Sequence, residues 1–76
     1  MTLHSDPVQA ASLLRMANQI ASNAHHKPHD QSVALVEKHL RDFWAPSMRA
    51  TLLAWLDAGG EGLDAVARNA LERLRP

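Results

Sequence analysis

Four successive stretches of this chain place apolar side chains at the three- and four-residue spacing of an α-helix, and proline or glycine interrupts the pattern between them. This alternation of stripe and break constrains the fold more than any other property of the sequence. The first stripe is Ala10, Leu13, Leu14, Ala17, Ile20, Ala21 and Ala24. Asp6-Pro7-Val8-Gln9 precedes it: Asp6 can accept from free backbone N–H groups, Pro7 suits the first helical position, and Gln9 stands where a capping box needs it. The spacing predicts a helix over 7–23 after a loose start at 1–5. Pro28 disfavours helical geometry at Lys27, so the segment around it reads as a linker and Asp30 as the next N-cap. Val33, Val36, Leu40, Phe43 and Trp44 then carry a second helix over 31–43. Its outer face pairs Glu37 with Arg41 and Lys38 with Asp42 at four-residue spacing, which marks a solvated face.

Pro46 ends that helix and opens a third, lined by Met48, Leu52, Trp55 and Leu56 and broadened by Ala50 and Leu53. Gly59 and Gly60 close it, because glycine just past a helix end accepts the left-handed conformation. Leu63, Val66, Ala67, Ala70, Leu71 and Leu74 form the last stripe, with Asp64 at its start and Arg73 and Arg75 at its end, as the helix dipole favours. There is no strand pattern and no internal repeat. The expected fold is all-α: one domain over 1–76, a small compact bundle or array of about four short helices with short connections. Its core should draw on Leu14, Ile20, Val36, Leu40, Leu52, Leu56, Val66 and Leu71, with the rings of Phe43, Trp44 and Trp55 at the hinge.

Several chemistries have no support in the residues. There is no cysteine, which excludes disulfides, thiolate metal sites and cysteine nucleophiles. Eight basic and eight acidic residues cancel, so the basic excess of a nucleic-acid binder is missing. A helix-turn-helix regulator is the alternative reading, but the third helix offers chiefly Arg49, and the fourth mixes Arg68, Asn69, Arg73 and Arg75 with Asp64 and Glu72. The N-terminus lacks the basic start and apolar run of a secretory signal, and no apolar run approaches the ~20 residues of a membrane span. A soluble, cytoplasmic protein is expected. His25, His26 and His29 invite a metal reading. Adjacent residues rarely point at one ion, however, and Lys27 adds repulsion, so a polar linker without metal is favoured. Ser5, Ser12, Ser22, Ser32 and Ser47 lack a strand-to-helix elbow, and Gly59-Gly60-Glu61-Gly62 lacks the spacing of a phosphate loop. No catalytic residue is expected.

Surface recognition remains. Phe43-Trp44-Ala45-Pro46-Ser47-Met48-Arg49 concentrates residue types that are enriched in interface cores. Adjacent residues on a helix point about 100° apart, so Phe43 and Trp44 cannot both face the interior. The reading assigns Phe43 to the core, Pro46 to the helix switch, and Trp44 with Met48 and Arg49 to an exposed face.

Three fragments carry a family resemblance: Leu14-Arg15-Met16-Ala17-Asn18-Gln19-Ile20-Ala21, Phe43-Trp44-x-Pro46-x-Met48-Arg49, and Leu56-Asp57-Ala58-Gly59-Gly60-x-Gly62-Leu63. In this order they resemble the delta subunit of soluble bacterial NAD-dependent, molybdenum-containing formate dehydrogenases, over roughly residues 13–74. The resemblance implies a non-catalytic accessory polypeptide that helps produce or stabilise the active complex. Its partner would be the catalytic subunit or the maturation factors that serve it. The bis-guanine-dinucleotide molybdenum cofactor, iron–sulfur clusters, FMN and NAD would belong to that complex, with no cofactor of the chain's own. Candidate partner-binding residues are Met16, Asn18, Gln19, Trp44, Pro46, Met48 and Arg49, the last able to offer planar donors to a carboxylate or a cofactor phosphate. Self-association stays open. The chain departs from the family at Ala45 and Ser47, where an acidic and a basic residue are usual; the first departure removes an N-cap before Pro46.

Overall fold

The structure, a computed structural model, describes residues 7–76. Four helices follow one another: α1 (Pro7–Ala24), α2 (His29–Phe43), α3 (Pro46–Asp57) and α4 (Ala65–Arg73). The all-α expectation holds, and no strand occurs among the described residues. The expected Asp6 cap and loose start lie outside them.

The breaks act as their chemistry requires. Lys27 is non-helical before Pro28, and Pro46 is the first residue of α3. α3 ends in a Schellman closure: Gly59 N–H reaches the Leu56 carbonyl at 3.0 Å and Gly60 N–H the Trp55 carbonyl at 2.9 Å. Gly59 takes φ 101°, a conformation that costs glycine little. Asp64 caps α4, its carboxylate accepting from the Val66 N–H at 2.8 Å.

Asp30 corrects one expectation. α2 begins before it, with Pro28 as N-cap and no side-chain cap. The Pro28 carbonyl already accepts the Ser32 N–H at 2.9 Å, so Asp30 falls within the first turn, where its charge still favours the helix dipole.

α2 packs most extensively on α4, and α1 lies against α2, α3 and α4. Val36, Leu40, Leu52, Val66 and Leu71 are buried as expected. On α1 the centre of the core is instead the line of Ala10, Leu13, Ala17, Ala21 and Ala24. Leu14, Ile20 and Leu56 are only partly buried on its flanks. Small side chains let helix axes approach closely, which pushes the larger neighbours to the rim.

Ser32 joins α1 to α2. Its buried hydroxyl lies 2.7 Å from the Ala24 carbonyl and 3.0 Å from that of Lys27, a pair of acceptors its one proton must share. This contact sets the end of α1 beside the start of α2.

Candidate partner-binding surface

The α2–α3 junction reverses the expected division of the two rings. Phe43 is 74% exposed, whereas Trp44 is 5% exposed and belongs to the core. The reason is local. Phe43 is the last helical residue of α2, and Trp44 leaves the helix with extended dihedrals, φ −96° and ψ 136°. Its side chain therefore no longer follows the helical progression and enters the core. One ring does leave the interior, but it is Phe43.

Arg49 also works inside the fold. Its Nη1 donates to the Leu40 carbonyl at 3.2 Å and the Trp44 carbonyl at 2.9 Å. The Leu40 carbonyl also accepts the Trp44 N–H at 3.1 Å, so Arg49 adds a second donor there at the end of α2. Met48 is half-buried against the core, and Pro46 is exposed at the first turn of α3. A notch of about 120 Å³ lies here, with Pro46, Arg49, Leu53 and Leu74 in its walls.

The candidates on α1 diverge. The Asn18 amide donates to the Gly62 carbonyl at 2.9 Å, and its oxygen accepts from the Asp64 N–H at 2.8 Å. It thus fixes the α3–α4 loop. Met16 lies two residues away on the helix, about 200° round the axis, and is 44% exposed. Gln19 is exposed, its amide 3.4 Å from the Asn23 side-chain oxygen.

A groove between α1 and α2 forms the surface that the sequence reading missed. It has a volume of about 250 Å³ and is lined by Ile20, Asn23, Ala24, Leu35, Val36 and His39. Leu35 is 44% exposed, and the exposed Phe43 ring tilts against His39 with centroids 4.9 Å apart. Met16 stands one turn before Ile20 on the same side of α1. The large apolar side chains left exposed among the described residues are Met16, Leu35 and Phe43, and of these Leu35 lines the groove. The signal lay in the sequence as a second ridge, 35-39-43 at four-residue spacing, beside the buried line 33-36-40.

The linker histidines turn to separate partners. His25 Nε2 meets the Asp64 carboxylate at 2.9 Å, His26 Nδ1 the Asn23 carbonyl at 3.1 Å, and His29 Nε2 the Asn69 amide at 3.1 Å. No group of three or more potential ligands gathers for a metal among the described residues. Burial pushes the Asp64 carboxyl up, but hydrogen bonds from His25 and the Val66 N–H outweigh it and hold the group below its ordinary value.

Four of the six arginines are likewise turned to the fold's own groups, Arg68 on α4 being exposed. Arg41 and Arg73 both reach Glu37 at 3.3 Å, and Arg75 meets Asp57 at 3.0 Å and Glu72 at 2.8 Å. With Arg49 directed inward, α3 and α4 do not present the outward basic row a recognition helix uses. No helix among the described residues is long and apolar enough to cross a membrane.

A family model described as NADH-dependent formate dehydrogenase delta subunit FdsD matches residues 12–71. No curated protein and no solved structure matches the chain.

Proposed function

The chain belongs to the delta-subunit family of NADH-dependent formate dehydrogenases, and from that premise we propose that it is a non-catalytic accessory subunit acting by protein–protein binding. It serves assembly, stabilisation or cofactor insertion of the complex, in the cytoplasm. Its partner is the catalytic subunit or a maturation factor of that subunit. The bis-guanine-dinucleotide molybdenum cofactor, iron–sulfur clusters, FMN and NAD are held by the partner complex, not by this chain.

One observation carries this reading: three large apolar side chains, Met16, Leu35 and Phe43, are left in water on so small a domain, Leu35 in the wall of the α1–α2 groove. Apolar patches of this kind on small domains mark sites where another protein covers them. Met16 and Gln19 belong to this surface or its edge. Pro46, Met48 and the notch beside Arg49 form a second, smaller contact. Trp44 and Asn18 support the fold behind them.

The test is co-expression of a tagged chain with the other subunits of the complex, followed by identification of what is recovered. Recovery of the catalytic subunit is expected, together with a lower molybdenum content of that subunit when this chain is omitted. No recovery, even after cross-linking, and an unchanged molybdenum content would overturn the proposal.

A further inference from the structure

We draw no further inference here: the strongest candidate, the apolar groove between α1 and α2 with the exposed side chain of Leu35 in its wall, carries nothing because nothing in the structure shows what covers it.

Discussion

Among the described residues Ser32 is the polar side chain sealed in the core, at 1% exposure, and its hydroxyl serves the carbonyls at and after the end of α1. Replacing it with alanine leaves the Ala24 carbonyl in a dry site without its donor. Ser32→Ala should therefore lower stability by about 1–2 kcal/mol, read as a reduced urea midpoint with an unchanged slope. A midpoint equal to wild type would show that the hydroxyl contributes nothing. Gly60 poses a steric question instead, because a Cβ there would overlap the Trp55 indole. Gly60→Ala should displace that ring, shift its emission toward that of an exposed tryptophan, and cost about 1–3 kcal/mol. These constraints were only half legible in the sequence. The turn at Gly59-Gly60 follows from glycine's backbone freedom, but that the Trp55 indole folds over Gly60 depends on the closure that carries residue 60 back onto residue 55. Ring assignment failed for a related reason: whether Phe43 or Trp44 faces inward depends on which residue is the last helical one, and periodicity does not fix that boundary.

At the scale of elements, the junction between α2 and α3 is capped from one side only. Arg49 on α3 closes the last carbonyls of α2, whereas α3 itself starts at Ala45 with no side-chain cap. The two ends should respond oppositely to substitution. Ala45→Asp supplies an acceptor for the free N–H groups of the first turn and should stabilise the protein by about 1 kcal/mol. Arg49→Met keeps much of the side-chain volume but removes a charged donor to two carbonyls, and should destabilise it by about 1.5–3 kcal/mol. Denaturant titration of the two variants checks both signs. If Arg49→Met instead retains full stability and loses only partner binding, Arg49 belongs to the interface rather than to the cap. The four helices themselves were legible because proline and glycine stand at each break. The missed groove was not, because Leu35 and His39 lie outside the main stripe of α2, and a ridge gains meaning only once α1 is known to run beside it.

For the whole molecule, hydrogen bonds and ion pairs of carboxylates tie distant parts of the chain, and they give its stability a direction in pH. His25, after α1, meets Asp64 at the start of α4; Arg75, near the C-terminus, meets Asp57 at the end of α3 and its neighbour Glu72. Hydrogen bonds from Arg75 hold Asp57 and Glu72 below the usual carboxylate range, and the bond from Lys38 does the same for Asp42. Burial opposes the shift at Asp64, but the bonds from His25 and the Val66 N–H prevail there too. A carboxyl whose folded pKa lies below its unfolded value contributes stability above the unfolded pKa and loses it as pH falls through the folded one. With unfolded values of about 3.9 for Asp and about 4.3 for Glu, these groups leave stability level from pH 7 to about 5 and draw it down below about pH 4. Asp64 isolates the effect. Asp64→Asn keeps an oxygen able to cap α4 but cannot titrate, so it should cost little helix stability while flattening the acid limb of a urea-midpoint profile. An acid limb as steep as that of wild type would exclude Asp64 as one of its sources and leave the descent to Asp42, Asp57 and Glu72.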